Sequence, residues 1–127
     1  MTVRNADIGI VGEPYSGGNW IERTQYLTPR AIRDFSMAHH RSHRALKINS
    51  FELCRIRDIG DVDISNILDP SNAEIDIQKF YQGVDQSGTI PVSIGGNHSI
   101  TLPILRALAG IKSRRKRPIC LIHLDAQ

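Results

Sequence analysis

Apolar runs and amphipathic segments alternate along the 127-residue chain and predict a sheet covered by helices. The apolar runs are short and rich in β-branched residues, as buried strands are, and they lie at 7–12, 53–59, 89–96 and 117–127. Apolar side chains at helical spacing occur between them, at 28–40, 69–88 and 99–110. The first strand is expected to end at Gly12, with Glu13 opening a loop. Near-continuous apolar strands joined by helices are typical of a parallel α/β sheet with helices on both faces.

Residues with capping chemistry stand at the ends of the predicted helices. Thr28 is placed to cap the first helix, with Pro29 at its first position, where a missing N–H costs nothing. Ser71 and Glu74 have the spacing of a capping box. Gly88 is expected to end the second helix in the left-handed conformation.

A histidine and an aspartate follow the last two predicted strands, at the edge where a parallel sheet gathers its reactive groups. His98 comes shortly after the glycine pair that ends the third strand, and Asp125 lies near the end of the fourth. If these strands are neighbours, they lie roughly 5 Å apart and the two side chains converge. An imidazole and a carboxylate there form a partial site for Mn²⁺ or Zn²⁺. The alternative is that His98 is only a loop or capping residue.

The residues around His98 and Asp125 have supporting roles in this hypothesis. Gly95 and Gly96 allow a tight turn and a close approach of the backbone to a bound molecule. Asn97 is placed to orient the imidazole through its amide. His123 lies inside the fourth predicted strand and is expected to be a core or sheet-face residue.

Composition and charge narrow the class of protein. The shares of hydrophobic residues (40%) and charged residues (23%) are typical of an ordinary globular domain. No apolar run of membrane-spanning length and no signal-peptide pattern occurs, so we expect a cytoplasmic protein without a membrane partner. Much of the +3 net charge lies in the segment KSRRKR, where a solvated loop is favoured over a nucleic-acid interface, since no aromatic residue is interleaved. Cys54 and Cys120 lie in apolar segments and are expected to be reduced core thiols.

Four blocks of the sequence occur in the order and spacing of a known family. They are TPRAIRDFS, DIGDVDI, SIGGNHSITLPILRAL and IHLDAQ. They resemble the Gly-Pro-Arg-Ala-Ile-Arg, Asp-x-Gly-Asp-Val, Gly-Gly-Asp-His-Ser and Asp-Ala-His-x-Asp motifs of the ureohydrolases. That family contains arginases, agmatinases and their guanidino-acid relatives, and the blocks are most similar to those of agmatinases.

The resemblance implies a three-layer α/β/α fold around a parallel sheet, of which residues 1–127 would form the N-terminal half as a single, truncated domain. It also implies two manganese ions at the carboxyl ends of the strands, which activate water to attack a guanidinium carbon and release urea. His98 matches the family's first histidine ligand, and Asp125 matches its first aspartate ligand. Asn97 replaces a family aspartate. Gln127 replaces a histidine ligand, and its carbonyl is a weaker ligand for manganese than an imidazole, so a complete two-metal cluster is not expected.

Two hypotheses about function follow from this resemblance. The first is an agmatinase-like hydrolase of small guanidino compounds such as agmatine, serving polyamine metabolism but incomplete or inactive in this chain. The alternative is a catalytically inactive family member that binds or regulates a full-length homologue. The resemblance further implies a homo-oligomer, either a trimer or a hexamer.

Overall fold

The computed structural model describes residues 5–17, 23–37, 42–114 and 118–125. The strands in these parts of the chain are β1 Ile8–Glu13, β2 Ser42–His43, β3 Ile48–Asn49, β4 Ile56–Asp61 and β5 Ile90–Gly95. The α-helices are α1 Thr28–Met37, α2 Ser50–Leu53, α3 Pro70–Ser87 and α4 Thr101–Ala109. Short 3₁₀ helices at Arg23–Leu27 and His98–Ile100 lead into α1 and α4.

Three parallel strands form the central sheet, in the order β4-β1-β5. Ile8 of β1 is in register with Ile56 of β4 and with Ile90 of β5, so the three strands end at the same edge. β2 and β3 form a separate antiparallel pair. The parallel sheet and its helices confirm the predicted α/β class.

Helices cover both faces of the sheet. Successive residues of a strand point to opposite faces, so the contacts of two neighbouring residues show what lies on each side. Gly12 of β1 faces α1, since a Cβ atom at this position would lie 2.8 Å from the Pro29 side chain. Glu13 faces the other way and contacts Tyr81 of α3. α4 packs against α3. The arrangement is therefore helix, sheet and helices in three layers.

The main core includes side chains from the central sheet, α3 and α4. Its buried apolar residues are Val11, Tyr15, Ile59, Val62, Ala73, Ile77, Tyr81, Val84, Ile100, Ile104, Ala107 and Leu108. Those on α3 recur at every third or fourth position, so the helical spacing in the sequence corresponds to one buried stripe.

The second predicted helix is confirmed as α3, but the predicted cap is wrong. The Asp69 side chain accepts hydrogen bonds from two backbone N–H groups of the first turn, and Ser71 lies inside the helix. Pro70 suits the first helical position because its φ is fixed, which leaves the preceding residue as the N-cap. Gly88 ends the helix with a φ of 78°, as predicted.

The predicted boundaries of the first two strands also need correction. Glu13 is the last residue of β1 and is fully buried, although it was expected to open a loop. β4 begins at Ile56, since residues 50–53 form the short helix α2. The Asn49 side chain caps α2 by accepting the Phe51 N–H, which competes locally with an extended conformation.

The fourth predicted strand is wrong, since residues 118–125 are in no strand. The side chains still alternate: Ile122 and Leu124 are 84% and 91% exposed, while His123 and Asp125 lie on the other side and contact each other. An apolar run becomes a strand only where another strand pairs with its backbone. The strand pairing of the described residues does not include 118–125.

The two cysteines lie outside the core, and the start of the basic segment packs at the end of α4, where Ser113 is buried and donates a hydrogen bond to the Leu108 carbonyl. Cys54 is half-buried and Cys120 exposed, both as free thiols, so the prediction of core positions is wrong. Arg114 of the basic segment contacts Asp85 and Gln86 at the end of α3, near the start of β5 and opposite His98. Residues 115–117 lie outside the described residues. None of the helices in the described ranges has the length and apolar character of a membrane span.

Candidate metal centre

A tight turn after β5 positions His98. The Asn97 backbone N–H donates to the Tyr15 carbonyl oxygen at 2.8 Å, which holds this turn against the loop after β1. The Asn97 side chain accepts the Ser99 N–H at 2.9 Å and so caps the 3₁₀ helix that leads into α4. His98 is therefore the first residue of a capped helix at the carboxyl end of β5, with a side chain that is 64% exposed.

Gly95 and Gly96 lie too close to neighbouring atoms of the protein to carry a side chain without a shift. A Cβ atom on Gly96 would lie 2.0 Å from the Tyr15 carbonyl oxygen, and one on Gly95 would lie 2.1 Å from Cδ1 of Ile100. A larger residue at position 96 would therefore displace the turn that carries His98, and one at position 95 would displace the Ile100 side chain. The predicted approach of this backbone to a bound molecule stays a prediction.

The Asn97 amide serves the same turn. Besides accepting the Ser99 N–H, it donates through Nδ2 to Oε1 of Gln25 at 3.5 Å. These contacts fix the backbone next to His98. The suggestion that the amide orients the imidazole directly stays a prediction.

His98 and Asp125 converge as predicted. His98 Nδ1 lies 3.4 Å from Asp125 Oδ2. His123 joins them, with Nε2 at 3.7 Å from the same oxygen. The two imidazole rings meet edge to face with centroids 4.5 Å apart. One donor atom from each residue lies within 4.8 Å of the other two.

The prediction that His123 is a core or sheet-face residue is wrong. Its side chain is 39% exposed and lies against His98. In an extended segment, residues two apart point to the same side, and His123 stands two positions before Asp125. This His-x-Asp spacing was the signal in the sequence that could have placed His123 beside the candidate ligands.

The donor set fits a divalent cation. Two ligands bound to one zinc ion at about 2.0–2.2 Å lie about 2.8–3.6 Å apart at right or tetrahedral angles. The separation between His98 and Asp125 falls within this range, and the separation between His123 and Asp125 is slightly longer. Because all three side chains are exposed, a bound cation would keep coordination positions open to water or substrate. Gln127, the fourth predicted donor, lies outside the described residues.

Comparisons with known proteins agree with the observed α/β fold and with the family resemblance of the sequence motifs. The model of the arginase family matches residues 6–126. The guanidinopropionase of Pseudomonas aeruginosa is 35% identical over 119 residues, which cover 94% of this chain and 36% of the relative.

Solved structures are similar over the same share of their length. The proclavaminate amidino hydrolase of Streptomyces clavuligerus superposes with a TM-score of 0.77 at 30% identity, covering 85% of this chain and 36% of that one. A formiminoglutamase of Trypanosoma cruzi, determined with Mn²⁺, gives a TM-score of 0.66 at 25% identity, covering 84% and 36%. The chain therefore spans about a third of the length of these relatives, a smaller share than the predicted half.

Proposed function

Because the chain belongs to the arginase family, we propose that it supplies cation-binding residues to a hydrolase of guanidino compounds. The observation that carries this proposal is the 3.4 Å separation of His98 Nδ1 and Asp125 Oδ2 at the carboxyl edge of the sheet. The two residues are far apart in sequence, and both match ligand positions of the family motifs. The carboxyl edge is also where parallel α/β sheets bind their ligands.

The residues of the chain have distinct parts in this proposal. A bound divalent cation would lower the pKa of water and so provide the nucleophile that a resonance-stabilised guanidinium requires. Asp125 supplies a negative charge that compensates the cation, and His98 supplies a neutral nitrogen donor. The Asn97 cap holds His98 in place, and the exposure of both side chains gives access from solvent.

The names of two relatives support a guanidino or amidino compound as the substrate class. Agmatine is the specific substrate that we predict from the motifs. Manganese as the cation is supported by the relative determined with Mn²⁺. A cytoplasmic location and a trimeric or hexameric assembly remain predictions from the sequence.

Titration of the 127-residue chain with Mn²⁺, followed by calorimetry, tests this proposal. We expect one cation per chain, binding that is lost in His98→Ala and Asp125→Ala, and unchanged binding in His43→Ala. His43 is a suitable control because it lies in the separate β2–β3 pair. If His98→Ala and Asp125→Ala bind Mn²⁺ as the unaltered chain does, the proposed site is wrong and a non-catalytic binding or regulatory role is favoured.

A urea assay with agmatine and with guanidinopropionate tests whether this chain is complete as an enzyme. We expect no urea from the chain alone, because one cluster of three donors was found among the described residues and a pair of cations needs more ligands. Two bound Mn²⁺ ions per chain together with urea release would contradict the incompleteness that we propose.

A further inference from the structure

His123 has the geometry of a ligand and matches neither of the two residues carried over from the family motifs. Its Nε2 atom points to the same carboxylate oxygen as His98 Nδ1, at 3.7 Å and 3.4 Å respectively. The side chain is 39% exposed, so solvent and a cation can reach it.

We infer that His123 is a third metal-binding residue, so that His98, His123 and Asp125 form a single-cation site with two imidazoles and one carboxylate. This inference rests on the proposed function, because it takes His98 and Asp125 as ligands of the same cation. It goes further in assigning the third donor and in making the site independent of Gln127 and of a second metal ion.

The type of donors indicates which cation this site prefers. Imidazole nitrogens suit zinc, copper, iron and nickel, whereas manganese is better served by carboxylates, carbonyls and water. Three protein ligands with an open fourth position are also the arrangement of catalytic zinc sites. The second imidazole therefore adds more to the affinity for Zn²⁺ than to the affinity for Mn²⁺.

A structural role is the competing explanation for His123. Its ring packs edge to face on His98, with an interplanar angle of 86°, and such ring pairs are stabilising without any metal. The substitution His123→Phe separates the two explanations, because it keeps a ring against His98 and removes the nitrogen donor.

The experiment is a Zn²⁺ titration of the full chain by competition with a chromophoric chelator. Every chain carries His39→Ala and His40→Ala, because these adjacent histidines offer imidazoles of their own. The variants are His123→Phe and His123→Ala, with His98→Ala and Asp125→Ala beside them and His43→Phe as the matched control. Circular dichroism verifies that each variant is folded, and the absorption of bound Co²⁺ reports the ligand set independently of affinity.

We expect one Zn²⁺ per chain and a loss of affinity of at least about 10–100-fold in both His123 variants, because losing a ligand should cost at least as much as losing a partner that only orients a ligand. The Co²⁺ spectrum should change in His123→Phe, and His43→Phe should match the parent. If His123→Phe binds as the parent does while His98→Ala and Asp125→Ala lose binding, His123 is not a ligand and the proposed function stands. If none of these three variants loses binding, both proposals are wrong.

Discussion

Glu13 is a carboxyl group in an apolar core. Its side chain is fully buried on the α3 face of the sheet, where Oε1 accepts a hydrogen bond from the Tyr81 hydroxyl. Tyr81 also lies 2.5 Å from the Ser93 hydroxyl of β5, while Oε2 of Glu13 has no partner among the described residues. Burial, with a further contribution from the charge of Asp61, raises the pKa of Glu13 from 4.5 to about 9. The carboxyl is therefore protonated at neutral pH in the folded chain.

This protonation predicts that the chain loses stability as the pH rises. The unfolded state releases the Glu13 proton near pH 4.5 and the folded state near pH 9. Between these values the folded state holds one more proton, so the free energy of unfolding decreases by at most about 1.4 kcal/mol per pH unit. Glu13→Gln should remove this dependence and be more stable than the parent at pH 8. Urea unfolding between pH 5.5 and 8.5 measures both chains.

Glu74→Gln is the matched control for that experiment. Glu74 lies on α3 and pairs with Arg106, with 43% of its side chain exposed, so its replacement should leave the dependence of stability on pH intact. Parallel pH profiles of Glu13→Gln and the parent would show that Glu13 is ionised in the folded state.

The connection between β5 and α4 is the element on which the candidate site depends. Its two hydrogen bonds through Asn97, one from the backbone and one to the side chain, fix where His98 begins the helix. The glycines before it leave space for the Tyr15 carbonyl and the Ile100 side chain. The position of His98 therefore follows from the packing of this turn.

Replacement of the Asn97 cap should lower stability, because the Ser99 N–H loses its acceptor. We expect Asn97→Ala to reduce the free energy of unfolding by about 1 kcal/mol. Asn97→Asp should preserve it, since aspartate caps equally well and its charge favours a helix N-terminus. Thermal unfolding compares the variants, with Asn49→Ala at the cap of the short peripheral helix α2 as a control of smaller effect. Equal loss in Asn97→Asp and Asn97→Ala would contradict the capping role.

The guanidinium group of Arg33 joins α1 to the edge strand β4 of the central sheet. Arg33 of α1 binds both oxygens of Asp58, at 2.6 Å and 3.0 Å, and Asp61 at 2.5 Å. The arginine is only 25% exposed, and its hydrogen bonds hold the pKa of Asp58 below the usual value. This contribution to stability is present above the unfolded pKa of an aspartate and disappears as the pH falls through the lowered value.

Loss of the Arg33 hydrogen bonds should weaken the attachment of α1 to the sheet and lower the stability of the chain. We expect Arg33→Met to lower the free energy of unfolding by about 1–3 kcal/mol at pH 7, the scale of hydrogen bonds to charged groups. Arg33→Lys should recover only part of the loss, because an ammonium cannot bind a carboxylate bidentately. Both effects, measured by urea unfolding, should shrink at pH 3. Arg30→Lys on the same helix is the control, because the Arg30–Asp34 pair is highly exposed and contributes little to stability. An equal loss of stability in Arg30→Lys would contradict the role proposed for the Arg33 hydrogen bonds.

Prediction from sequence succeeded where the signal was carried by residues close together in the chain. The periodicity of α3, its end at Gly88 and the apolar runs of β1 and β5 are local features, and the structure confirms them. Prediction was less accurate at the start of α3, where Asp69 and not Ser71 is the N-cap, and at β4, where α2 includes the first residue of the predicted strand. Both errors are competitions between neighbouring residues that similar propensities leave undecided.

Sequence alone determined the parallel α/β class and the family, because apolar runs, helical spacing and the order of the motifs carry that information along the chain. It also predicted that His98 and Asp125 converge, but it did so from a fourth strand that the structure does not have at residues 118–125. Only the folded chain decided that Glu13 is buried, that residues 118–125 pair with none of the strands in the described parts of the chain, and that His123 lies against His98. These outcomes depend on which distant groups share a space. Burial, backbone pairing and ring contact are properties of neighbours in three dimensions, and a local pattern such as His-x-Asp indicates at most the side of the chain on which a residue lies.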